Sequence, residues 1–204
     1  FVQAYLSYTQ SDIGAISVPN DVQVVGLGEA SHGVSQYHQM KADVFKALVE
    51  NNGCRTFIIE GDFGGAFKVD QYINGGSGSA EKAVAEIGFA IYRTQEMVDL
   101  VDWMRSYNET VSQEEALHFY GMDVQRFDNN KEYLFSVIEQ THPELGAEYS
   151  EVFEQLTDEQ RTSLDETTLN SAKESLSEFI DKLDAVETDI VESLGQPAFD
   201  FARE

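Results

Sequence analysis

Val22-Gln23-Val24-Val25-Gly26-Leu27-Gly28-Glu29-Ala30-Ser31-His32-Gly33 carries an apolar run into a glycine-flanked loop that holds a glutamate and a histidine. The turn signal Pro19-Asn20-Asp21 precedes it, so Val22 to Gly28 predicts a buried strand ending in a tight loop. Downstream, Tyr37, Met40, Val44, Phe45 and Leu48 recur at helical spacing until Asn51-Asn52-Gly53 supplies a stop. Thr56-Phe57-Ile58-Ile59 is a second apolar run, ending at Glu60-Gly61-Asp62. Strand, helix, strand with a helical crossover predicts parallel pairing.

Further along, a helical stretch from Ala66 to Tyr72, the flexible loop Asn74 to Ser79 and an Ala-rich segment from Glu81 to Ala90 lead to an amphipathic helix from Thr94 to Asn108. Met97, Leu100, Val101 and Met104 line one face of that helix. Ala116 to Gly121 predicts a third strand, which runs out into Met122-Asp123-Val124-Gln125-Arg126. The expected class is therefore α/β: a largely parallel sheet with helical crossovers plus an acidic helical appendage. Residues 1–128 form the α/β domain that carries the site loops. Residues 129–204 form a helical segment, an insertion or cover of the same domain, with Leu164, Leu169, Leu176, Phe179, Ile180, Leu183, Val186, Ile190 and Leu194 three or four apart. Ligands bind at the carboxyl ends of parallel strands, which gathers Glu29, Glu60, Asp62 and Asp123 at one edge.

Composition narrows the partners. Thirteen basic against 37 acidic residues among 204 leave 13 − 37 = −24 and a pI near 4.2, while 42% hydrophobic and 11% aromatic content supports a core. So negative a surface repels phosphate backbones and anionic lipid headgroups, which argues against nucleic acid or a membrane surface and for a neutral or cationic small molecule. The one cysteine, Cys54, has no second thiol for a disulfide or a metal motif. No run approaches the roughly 18 apolar residues of a membrane span, and the start at Phe1 has no basic leader region. The compartment stays open, with the cytoplasm favoured.

Gly26 and Gly28 meet the first two places of a dinucleotide fingerprint, but Ser31 takes the third, and Glu29 would face a pyrophosphate. Gly75-Gly76-Ser77-Gly78 is no nucleophile elbow, because no strand precedes it. His32 near Glu29 and Glu60 suggests an imidazole whose tautomer a carboxylate sets, as a general base for water requires. The same loop also fits a histidine that only bridges it. Glu29, His32, Glu60, Asp62 and Asp123 equally offer oxygen and nitrogen ligands suited to manganese or zinc. His38 on the following helix and His118 in a strand read as core or solvated residues, and His142 beside Pro143 as a helix boundary.

Gly28-Glu29-Ala30-Ser31-His32-Gly33, then Lys41, Ile58-Ile59-Glu60-Gly61-Asp62, Thr94-Gln95-Glu96-Met97, Trp103 to Asn108, and Phe119-Tyr120-Gly121-Met122-Asp123 resemble, in order and spacing, the erythromycin esterase family. The resemblance implies an α/β fold and metal-independent hydrolysis of a macrolide lactone or another ester, with no cofactor. It implies His32 as base, Glu29 and Glu60 as acids of the site, and Lys41 as the basic residue of the next helix. Asp62, Asp123 and Arg126 follow as candidates for substrate or charge stabilisation. Ser31 stands where the family has Thr, and Gln36 where Glu is common. Family members continue to a later strand ending in His-Asn-x-His, which supplies a second histidine, whereas this sequence stops at Glu204. The expectation is thus a chain that folds over its first ~125 residues but catalyses poorly, its open sheet edge covered by the helical segment or by a homodimer.

Overall fold

The computed structural model describes residues 10–203. Phe1 and Glu204, the two ends considered above, lie outside them. Contacts divide the chain into two units: one takes in the chain to Gly61 together with Ala66–Met122, the other Asp62–Gly65 together with the chain from Asp123. The described residues are mostly helical and contain one two-stranded parallel sheet, so the largely parallel sheet of the expectation is too large.

The first unit is built on α1 (Ser35–Asn52), β1 (Thr56–Asp62), α2 (Phe63–Ile73), α3 (Ala80–Glu86), α4 (Gln95–Asn108) and β2 (His118–Asp123), the ends of some of these passing into the second. α1 stops because Gly53 adopts φ 68°, a left-handed conformation that a side chain would strain, and this lets the Cys54 amide reach back to Leu48 O at 3.1 Å. α4 starts where Thr94 Oγ1 accepts from the Met97 amide at 3.3 Å. Its predicted face is buried: Met97, Leu100, Val101 and Met104 all reach the core. Phe57 of β1 lies between Phe45 of α1 and Phe119 of β2, at ring separations of 5.0 and 5.7 Å.

One prediction about strands needs correction. Val22 to Gly28 forms no strand: Val24 is 85% exposed, and Val22, Val25 and Leu27 are exposed with it. An extended run becomes a strand only by pairing its backbone with a neighbour, and among the described residues β1 pairs with β2 and this run with neither. β1 itself is buried on one face only. Phe57 and Ile59 go to the core, while Thr56, Ile58 and Glu60 are exposed, because among the described residues of the first unit no layer covers that side.

The second unit holds α5 (Asp128–Thr141), α6 (Pro143–Gln155), α7 (Glu166–Ala185), α8 (Glu187–Leu194) and α9 (Gln196–Arg203). Pro143 opens α6, where its missing N–H is not needed, and Asp165 caps α7 by accepting from the Thr168 amide at 2.8 Å. Phe153 and Phe179 meet edge to face at 5.2 Å within a core that includes Ile138, Leu183, Ile190 and Phe199. Leu169 and Ile180, predicted on the same apolar stripe, are exposed. Gly64 fits against the start of α5 so closely that a Cβ would lie 2.6 Å from the backbone of Asn129 and Asn130.

Candidate active site

The loop after the exposed run presents Glu29 and His32 three residues apart, and Gly33 at φ 74° turns the chain into α1. His32 Nδ1 lies 2.7 Å from Glu29 Oε1. Lys41, in the second turn of α1, donates from Nζ to the other carboxylate oxygen, Oε2. Glu29 is thus a bridge, its side chain only 10% exposed, whereas the His32 side chain is 57% exposed. The Lys41 ammonium holds the Glu29 carboxyl below its ordinary range; burial works the other way, and the His32 hydrogen bond adds to the lowering.

These residues line a cleft of about 680 Å³ in the first unit, and Glu60 on the exposed face of β1 lines it too. Apolar walls come from residues such as Val24, Leu27 and Phe57. Glu96 at the start of α4 also contributes; Ser35 Oγ donates to its Oε1, which holds that carboxyl down. The structure therefore brings Glu29, His32, Lys41 and Glu60 to one cleft.

Asp62, Asp123 and Arg126 are engaged within the second unit. Asp62 is wholly buried and accepts from the Gly65 amide at 2.7 Å in the first turn of α2, with the Asn129 and Asn130 carboxamides at 3.4 Å. Burial raises its carboxyl above the usual range. Asp123 accepts from the Gln125 amide and side chain at 2.8 and 2.7 Å. Arg126 pairs with Asp158 through Nε at 2.8 Å and Nη2 at 2.5 Å. Burial would raise the Asp158 carboxyl, but the Phe127 amide and Arg126 outweigh it and hold it low.

Ser35 and Tyr92 carried no reading in the sequence, His38 was read as a core or solvated residue and is buried, and Glu96 stood only among the motif residues. The readable signal was on α1, where Ser35, His38 and Lys41 recur every third residue and so share a side of the helix. Among the described residues no three His, Cys, Asp or Glu side chains cluster at metal-ligand spacing.

A solved Bacillus cereus protein matches 86% of this chain at 21% identity and a TM-score of 0.71. A solved succinoglycan biosynthesis protein matches 87% at 22% identity and a TM-score of 0.70. This chain covers 45% of each of them. Erythromycin esterase type II of Escherichia coli is 27% identical over 114 residues, 56% of this chain and 26% of that protein. The chain thus spans about a quarter of the curated relative and under half of each solved one. The family profile described as erythromycin esterase matches residues 49–204, a span that includes Glu60, Asp62, Asp123 and Arg126 and begins after Glu29, His32 and Lys41. With that match over most of its length, and a fold shared with both solved proteins, the chain belongs to the erythromycin esterase family.

Proposed function

We propose that this protein is a hydrolase that uses His32 to activate water against an ester. The observation that supports it most is the Glu29 bridge, one carboxylate holding His32 Nδ1 and Lys41 Nζ at the rim of a cleft. An anionic Glu29 keeps the proton on Nδ1, which leaves Nε2 as the acceptor. Nε2 takes a proton from water as the water oxygen bonds to the ester carbonyl carbon. Charge then develops on the carbonyl oxygen, where the Lys41 ammonium stabilises it. The C–O bond to the leaving group breaks, the proton on Nε2 passes to the departing alkoxide, and acid and alcohol are released. Glu60 orients the attacking water, while Asp62, Asp123 and Arg126 shape the chain around their own partners.

The substrate class is an uncharged or cationic ester, a macrolide lactone among them, since a chain of net charge −24 favours such molecules over anions. The test uses full-length protein with p-nitrophenyl butyrate and erythromycin, with and without chelator. His32→Ala should lower kcat/KM by at least ~10²-fold, and His142→Ala should leave it within a small factor. Activity lost to chelator and restored by manganese or zinc would move the reading to a metal-dependent hydrolase. No hydrolysis of either ester would end it.

A further inference from the structure

His38 stands between two polar pairs. Three residues before it Ser35 holds Glu96, and three residues after it Lys41 holds Glu29. The three side chains share one side of α1, and His38 belongs to the wall of the cleft. Its residue is only 5% exposed, and its Nε2 is buried with no hydrogen-bond partner among the described residues. The ring meets Tyr92 edge to face at 6.1 Å.

A buried nitrogen left unpaired lowers stability, because its bond to water is lost and nothing replaces it. Ala42 and Phe45 on the same helix fill comparable buried positions without that cost. An apolar residue would therefore serve packing better, so the imidazole is explained by something that enters the cleft. The second torsion of histidine is broad, and the ring can pivot toward an occupant without leaving a rotamer well.

We infer that His38 is a substrate-contacting residue, its Nε2 hydrogen-bonding an oxygen of the ester bound in the cleft. This rests on the hydrolase reading and adds to it a second imidazole, one that binds while His32 does the proton transfer. A contact made alike in ground state and transition state acts on KM and spares kcat.

The experiment compares wild-type full-length protein with His38→Leu and His38→Gln on p-nitrophenyl butyrate and erythromycin, with melting temperature measured alongside. His38→Leu should raise KM by about tenfold with kcat within about threefold, and His38→Gln, which keeps donor and acceptor, should recover most of the loss. The melting temperature of His38→Leu should stay level or rise. Unchanged KM in both variants overturns the inference. So does an equal loss in both accompanied by a fall in melting temperature, which marks a structural residue. If wild-type protein hydrolyses neither ester, it is the hydrolase reading that fails, and calorimetric binding of erythromycin then decides: weaker binding by His38→Leu supports the contact, while equal or absent binding overturns it.

Discussion

The side chain of Asn108 closes a two-bond ring on the backbone of Leu117: its Oδ1 accepts from the Leu117 amide at 2.7 Å, and its Nδ2 donates to the Leu117 carbonyl at 3.0 Å. The same Nδ2 reaches Ile73 O at 3.3 Å and Asn74 Oδ1 at 3.1 Å. The last residue of α4 therefore does for the chain entering β2 what a neighbouring strand would do. Asn108→Ala should cost about 3 kcal/mol, two backbone groups losing their partner at once. Asn108→Asp should cost a comparable amount, since a carboxylate cannot donate to the carbonyls it would face. Urea unfolding monitored at Trp103 measures both, and an effect under about 0.5 kcal/mol would show that water replaces the carboxamide.

Removing Lys41 should change the acid side of the stability profile. Glu29 titrates below its ordinary 4.5 in the folded chain, chiefly through Lys41. Its contribution is therefore present above that value and lost as pH falls through the lower folded one. In Lys41→Met the opposing effect of burial is met only by the weaker influences of His32 and His38, so the loss should begin at higher pH. The difference in unfolding free energy between each background and its Glu29→Gln partner, followed from pH 7 to 3, isolates this shift.

His118 and Asp70 should give the opposite slope. Asp70 lies 3.1 Å from His118 Nδ1 and raises the imidazole above its ordinary 6.5, against the effect of burial. The stability this pair supplies is complete below about 6.5 and disappears as pH rises through the folded value. Wild type minus His118→Gln should thus shrink from pH 6 to 9. Asp70→Ala should cost more than His118→Gln at every pH, because Asp70 Oδ1 also accepts from the Phe119 amide at 2.9 Å.

In the second unit, Asp158 accepts from the Phe127 amide at 2.7 Å as well as from Arg126. Asp158→Ala should cost roughly 2 kcal/mol by removing the carboxylate that accepts from both Arg126 and the Phe127 amide. Arg126→Ala should cost less, since the Phe127 amide keeps its partner. Equal losses from the two would mean that the ion pair alone matters.

The helices were legible because their signals are local. The spacing of Met97, Leu100, Val101 and Met104, the Thr94 cap and the Gly53 stop lie within a few residues of what they determine. Glu29 and His32 were legible for the same reason, lying in one glycine-flanked loop. The strand expected at Val22 to Gly28 was not, because apolar character says that a run can pair and leaves open whether a partner lies beside it. Arg126 and Asp158 are 32 residues apart, and nothing in the pattern around either one names the other. His38, read as a core or solvated residue, is indeed buried, and its unpaired Nε2 is a feature that no local pattern announces.

The open run at Val22, Val24, Val25 and Leu27, together with a sheet of two strands among the described residues, bears on how this chain behaves at high concentration. Apolar side chains and free strand edges attract one another between molecules, and what keeps such molecules apart is the mutual repulsion of a net charge of −24. That repulsion reaches about 10 Å at 0.1 M ionic strength and only about 3 Å at 1 M. Salt should therefore draw the molecules together, and light scattering should rise with sodium chloride at concentrations that leave the fold intact.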